Sequence, residues 1–159
     1  MKTDQDRALR EHIRQLLRGG NAHIDLHEAI DGFPRRLINM KIENLPYTPW
    51  QVLEHMRIAQ WDILEFSRSE HHVSPRFPDG YWPQSTKEAD EATWRETVNA
   101  FFSDRLQMEK LVVNPATDLF AKIPHGTGQT ILREALLVAD HNAYHLGALM
   151  TLKKMNPEE

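Results

Sequence analysis

Hydrophobic residues recur every three or four positions in four long stretches of the chain, a pattern that predicts helices rather than strands. The clearest stretch begins at Thr48, because threonine caps helices well and Gln51 completes a capping box with it. Pro49 suits the first helical position. The apolar residues that follow fall on one face of the predicted helix: Val52, Met56, Ala59, Ile63 and Phe66.

Two further helices are predicted at 91–114 and 130–155. Asp90 is placed to cap the first, and an Asn-Pro pair ends it. Thr130 caps the second, and its heptad-spaced residues share one face: Ile131, Val138, His145 and Leu152.

The apolar pattern near the N-terminus predicts a helix over 4–18, and the Gly-Gly pair that follows breaks or kinks it. A second helical pattern covers 22–33, where Asp25 and Glu28 match a capping box. The pattern alone leaves open whether these are one kinked helix or two short ones.

Two long connections separate the later helices. The stretch 67–89 contains prolines and aromatic residues, which favour a packed, lid-like loop, and a second loop covers 116–129. The sequence shows four helical patterns and no convincing strand pattern of alternating apolar and polar residues. It therefore predicts an all-α protein, an antiparallel four-helix bundle with long connecting loops. We expect a single domain over 1–159, with 1–21 as an N-terminal helical extension.

The composition of the chain excludes several classes of function. The 159 residues carry a net charge of -4, which provides no basic surface for nucleic acid. No stretch approaches the roughly 18 apolar residues of a membrane span, and no signal-peptide core precedes the first helix, so a cytoplasmic protein is expected. Cysteine is absent, which excludes disulfides, thiolate metal sites and cysteine nucleophiles. The chain contains nine histidines, and histidine is the commonest metal ligand in proteins, so the positions of these residues bear most on function.

The sharpest motif is DHNAYH, in which His141 and His145 stand four residues apart on the last predicted helix. Side chains with that spacing project to one side, with Cβ atoms about 5–6 Å apart, so both imidazoles can reach one metal ion. His55 lies on the inward face of another helix. Three histidine ligands from two helices would leave coordination positions open, as catalytic metal sites do.

A rival pair has the same spacing. His23 and His27 lie near the Gly-Gly interruption, and we expect them to be mostly at the surface, although either remains a candidate for the site. The other histidines are expected in solvent or in loop structure: His12, His71, His72 and His125.

Metal-bound histidines need partners that orient their second ring nitrogen. Glu134 lies two turns before His141, and Asp62 lies two turns after His55. An ordinary contact within the helix or with solvent is the simpler explanation for each carboxylate.

The two motif helices, PWQVLEHMRIAQWDIL and LREALLVADHNAYHLGAL, resemble those of the DinB/YfiT-like superfamily. The resemblance extends from about Ala22 to Leu152. Its most specific part is one histidine on the earlier helix and H-x-x-x-H-x-G on the last.

The resemblance implies an antiparallel four-helix bundle, a homodimer, and a divalent ion (nickel, zinc or iron) held by His55, His141 and His145. Relatives of this type include thiol S-transferases that use bacillithiol, mycothiol or glutathione, maleylpyruvate isomerases, and metal-dependent hydrolases. The sequence departs from the thiol-using members because no clear basic pocket for a cofactor's carboxylates is evident. Three basic residues are candidates for one: Arg57, Arg133 and Lys122.

Three functions therefore stay open from the sequence. The first is a metal-dependent enzyme acting on a small molecule, by thiol transfer or hydrolysis. The second is a non-enzymatic stress or ligand-binding protein with a structural metal. The third is an interaction module whose histidines are satisfied by hydrogen bonds without metal.

Overall fold

The computed structural model describes residues 2–155, and the regular structure in this part of the chain is all helical, with no strand. Its only ladder contact is an isolated bridge between Lys122 and Thr130. Five α-helices form in chain order: α1 Lys2–Arg18, α2 Leu26–Ile30, α3 Pro49–Arg68, α4 Glu91–Val113 and α5 Ile131–Lys154. Two single 3-10 turns form at Arg35–Leu37 and Asp79–Tyr81. The all-α prediction is confirmed.

Helix starts follow the capping residues. The Thr48 hydroxyl accepts from the backbone N–H of Gln51, and the Gln51 side chain accepts from the Thr48 N–H, so both halves of the predicted box are present. Asp90 and Thr130 cap α4 and α5 through the side-chain bond alone, accepting from the backbone N–H of Thr93 and Arg133. Local hydrogen bonding thus accounts for where the long helices begin.

The N-terminal region forms two separate helices rather than one kinked helix. Gly19 and Gly20 both adopt positive φ angles, 77° and 79°, a backbone region that favours glycine and ends α1. The Asp25–Glu28 capping box then starts α2. The open question from the sequence is therefore settled in favour of two short elements.

Helix α1 packs against the rest of the protein. Ile13 and Leu17 are buried in the same cluster as residues of α4 and α5. The Arg10 guanidinium donates to the carbonyls of Val112, Asn114 and Thr117, at 2.7, 2.9 and 2.8 Å. It thereby satisfies the Val112 carbonyl at the end of α4 and ties α1 to the turn that follows that helix.

Helices α3 and α4 run in the same direction. Trp50, near the start of α3, donates to Thr97, near the start of α4, at 3.2 Å. Arg68, at the end of α3, contacts Gln107 towards the end of α4. The fully antiparallel arrangement predicted from the sequence is therefore wrong for this pair, because the long 69–90 connection carries the chain back along the molecule before α4 begins.

The 69–90 connection is anchored to α3. The Gln51 side-chain amide donates to the carbonyls of Gln84, Ser85 and Lys87, at 3.4, 3.2 and 3.4 Å. These contacts hold the loop against the start of α3.

Within residues 2–155, no helix combines the length and apolar content needed to cross a membrane.

Candidate metal centre

Helices α3 and α5 bring three histidines together. His55 lies in the second turn of α3, and His141 and His145 lie one turn apart near the middle of α5. The Nε2 atom of His55 is 3.1 Å from Nε2 of His145 and 3.1 Å from Nε2 of His141. Helices α3 and α5 run antiparallel: Leu64, near the end of α3, shares a core cluster with Ala135, near the start of α5. Val52, near the start of α3, shares the other cluster with Leu149, near the end of α5.

The spacing of the nitrogens suits one shared metal ion. Ring nitrogens bind zinc at about 2.0–2.1 Å, so two ligands 3.1 Å apart subtend an angle of roughly 100° at the ion. One ligand nitrogen from each of the three rings lies within 4.8 Å of the others. Among the described residues, only His55, His141 and His145 form such a group.

Two loop residues hold the His55 ring. The carbonyl of Tyr81 accepts a hydrogen bond from Nδ1 at 2.8 Å, which leaves the lone pair of Nε2 directed at the other histidines. The indole of Trp82 stacks on the same ring, with centroids 3.8 Å apart and planes inclined by 2°. His55 is therefore fixed in both tautomer and orientation before any ligand binds.

All three histidines favour the neutral form that binds metal. Burial, and secondarily the neighbouring His55 ring, lowers the pKa of His141 to about 4. Burial and then the other two rings lower the pKa of His145 to about 4. Burial also lowers the pKa of His55, although its bond to Tyr81 works in the opposite direction. At neutral pH the ring nitrogens are consequently available as ligands.

A cavity of about 570 Å³ opens beside the three histidines. Its walls are mainly apolar and aromatic, with two carboxylates, Asp62 and Glu134, among them. The remaining lining residues come from α3, α5 and the loops between helices: Ala59, Ile63, Phe66, Ser74, Phe77, Pro78, Tyr81, Trp82, Gln129 and Leu137. A space of this size is typical of small-molecule sites.

Asp62 ties the loop to α3. Its two carboxylate oxygens accept from the Tyr81 hydroxyl at 2.6 Å and from Nε2 of His72 at 2.7 Å. Burial, followed by this bond to Asp62, raises the pKa of Tyr81 to about 12. The expectation that His72 lies in solvent is wrong, because its side chain is only 8% exposed and is bonded to Asp62.

The predicted orienting carboxylates have other roles. The group that orients His55 is the Tyr81 carbonyl rather than Asp62. Glu134 is 3% exposed, and its Oε1 accepts from the Arg133 guanidinium at 2.5 Å. Both carboxylates line the cavity itself.

The other histidines lie outside the cluster. His23 contacts the carbonyl of Ile24, and His27 lies beside Phe102 with ring centroids 5.9 Å apart. His125 contacts the Phe66 carbonyl at 2.7 Å, as expected for loop structure. His12 and His71 are exposed. The structure therefore assigns neither His23 nor His27 to the three-histidine group.

The three basic candidates do not build a cationic pocket. Arg57 is paired with Glu54, and Lys122 lies in the loop bridged to Thr130. Arg133 approaches the cavity only through its bond to Glu134.

Sequence reasoning missed Tyr81, Trp82 and His72. Their only sequence signal is aromatic content within a long loop, which does not specify which helix they contact.

No protein-family model, curated protein or solved structure matches this chain.

Proposed function

We propose that this chain is a DinB-type protein that holds a divalent metal ion with His55, His141 and His145 and acts as a metal-dependent enzyme on a small molecule. The observation that carries the proposal is the pair of 3.1 Å distances joining the three Nε2 atoms. Three neutral, converging nitrogens beside a 570 Å³ cavity match an open metal site rather than a closed structural one.

The proposal includes a four-helix bundle formed by α1, α3, α4 and α5. Its support is that α3 packs against both α4 and α5, and α1 packs against the same two helices. In this arrangement α3 and α5 are antiparallel and α3 and α4 are parallel, with α2 as a short accessory helix. The homodimer implied by the resemblance stays a prediction.

The reaction type that fits is thiol transfer or hydrolysis. A divalent ion supplies Lewis acidity, which lowers the pKa of a coordinated water or thiol and polarises an electrophile. The chain's own part is to keep the three rings neutral and oriented, through burial, the Tyr81 carbonyl and the Trp82 stack. The apolar cavity wall excludes water from the bound molecule.

Metal analysis of untagged protein, purified without a nickel column, tests the proposal. We expect about one divalent ion per chain, and loss of that ion in His55→Ala, His141→Ala and His145→Ala. His12→Ala and His71→Ala are matched controls, because both histidines are exposed, and both variants should keep the ion. Absence of bound ion after incubation with nickel, zinc and iron, each followed by gel filtration, would overturn the proposal.

Activity and stability measurements on the same variants separate the enzyme from a protein with a structural metal. An enzyme loses turnover in His141→Ala while its melting temperature changes little, since an open site contributes less to folding than a closed one. A large fall in melting temperature, together with no turnover by the metal-loaded wild type in thiol-transfer and hydrolase screens, would favour the structural role.

A further inference from the structure

The cavity has two chemically different ends. Asp62 follows His55 by seven residues on α3, and Glu134 precedes His141 by seven residues on α5. Seven residues make about two turns, so each carboxylate lies on the same helical face as its histidine, about 10 Å along the axis. Because α3 and α5 are antiparallel, both carboxylates lie towards the same end, opposite the three histidines.

Both carboxylates are buried, and both face the cavity. Asp62 is 7% exposed and Glu134 is 3% exposed, and each lines the cavity wall. Among the residues that the structure describes, no lysine or arginine lines this cavity. Glu134 is bonded to Arg133, whose side chain is 58% exposed and is not part of the lining.

The stretch between the two ends is apolar. Ala59 and Ile63 cover it from α3, Leu137 covers it from α5, and Phe66 lies beside the carboxylate end. A flat hydrophobic body fits such walls, and aromatic faces also attract cations.

We propose that the cavity takes a molecule with a flat apolar body that carries a protonated amine at the end held by Asp62 and Glu134. This inference rests on the proposed function for the histidine end, where the reacting group would lie. A carboxylate at this end would be buried beside two acidic groups that already have partners, Asp62 with Tyr81 and His72 and Glu134 with Arg133. No lysine or arginine in the lining could pair it, so its burial would be costly. The cavity therefore selects against anionic molecules of the same shape.

Three matched probes test the charge preference: 2-naphthylmethylamine, 2-naphthalenemethanol and 2-naphthoate. Binding is measured by calorimetry on the full chain at pH 7.5 after metal removal, so that no probe binds through an ion. We expect the amine to bind at least about tenfold more tightly than the naphthoate, with the alcohol between them. Equal affinities, or a preference for the naphthoate, would overturn the inference.

Glu134→Gln locates the effect. This nearly isosteric change should reduce the amine-to-naphthoate affinity ratio at least about threefold, because it removes one of the two facing charges. Glu43→Gln is the control, since Glu43 is exposed and lies outside the cavity. Asp62→Asn provides a second variant if Glu134→Gln does not fold, and an unchanged ratio in the folded variants would contradict the assignment.

Metal content of the same preparations keeps the two proposals distinct. Amine preference in a chain that never binds an ion supports the cavity inference and overturns the metal-dependent function. Ion binding without amine preference supports that function and overturns the inference.

Discussion

The side chain of His55 depends on residues that are distant in sequence. The Tyr81 carbonyl accepts from its Nδ1, and Trp82 covers its face. Tyr47 in turn stacks on Trp82, with ring centroids 4.6 Å apart. Tyr81 is in turn held by Asp62, which lies two turns after His55 on the same helix. The ring is thus positioned by a closed chain of contacts that begins and ends on α3.

This chain of contacts predicts that Tyr81→Phe weakens metal binding. The variant keeps the ring but loses the 2.6 Å bond to Asp62, so the Tyr81 backbone is held less firmly against His55. Loss of an outer partner typically costs 10–100-fold in metal affinity, and we expect about three- to tenfold here because the carbonyl itself remains. Zinc affinity is measured by competition with a chromogenic chelator.

Tyr144→Phe is the matched control for Tyr81→Phe. Tyr144 is 75% exposed, and its ring lies at right angles to that of His145 with centroids 4.9 Å apart, so removing its exposed hydroxyl should leave zinc affinity unchanged. Circular dichroism of both variants checks that the helices persist. Equal zinc affinities for the two variants would show that the Asp62–Tyr81 bond does not position His55.

Residue spacing predicted the three converging histidines but not their partners. His141 and His145 follow from a four-residue helical repeat, and His55 follows from the apolar face it shares with Val52 and Ala59. Tyr81 and His72 act through contacts between a loop and a helix, for which no sequence periodicity exists. Their roles therefore emerge only from the three-dimensional arrangement.

At the scale of elements, the long helices begin where their capping residues stand. Thr48 is 2% exposed and caps α3 at the end nearest His55. The same box fixes Gln51, whose amide holds the 69–90 loop. A single helix start therefore supports both the helix that carries His55 and the loop that orients it.

Thr48→Ala should lower the free energy of unfolding by about 1 kcal/mol, because the N–H of Gln51 loses its side-chain acceptor. Urea denaturation monitored by circular dichroism measures the change. Thr151→Ala serves as the control, since Thr151 is exposed within α5 and alanine favours helix, so its effect should be near zero or slightly stabilising. A loss for Thr48→Ala no larger than for the control would contradict the capping role.

At the scale of the whole molecule, helix content was predictable and helix direction was not. Capping boxes and apolar periodicity are local, and they place α3, α4 and α5 within a residue or two. The parallel pairing of α3 with α4 depends on how the 69–90 loop packs, through contacts such as that of Asn39 with the backbone of Ala89. Such contacts join residues far apart in the chain, so they cannot be predicted from the pattern of apolar positions.

The buried histidines couple the stability of the metal-free protein to pH. His141 and His145 have pKa values of about 4 when folded, against an ordinary value of 6.5 when the chain is unfolded. Between these values the unfolded chain binds more protons than the folded one, so acid favours unfolding. We expect the free energy of unfolding to be flat above about pH 7 and to fall by about 1–3 kcal/mol per pH unit between pH 6 and pH 4.5.

Urea denaturation across this pH range, in the presence of a chelator, measures the effect. The double variant His141→Asn with His145→Asn isolates the two rings from the other titratable groups at the cavity, namely His55, Asp62, Glu134 and Tyr81. The pH dependence should be shallower in the double variant, because two of the groups that take up protons on unfolding are gone. Parallel curves for wild type and variant would show that these rings are not held neutral by the fold, and would remove the electrostatic basis for their readiness to bind metal.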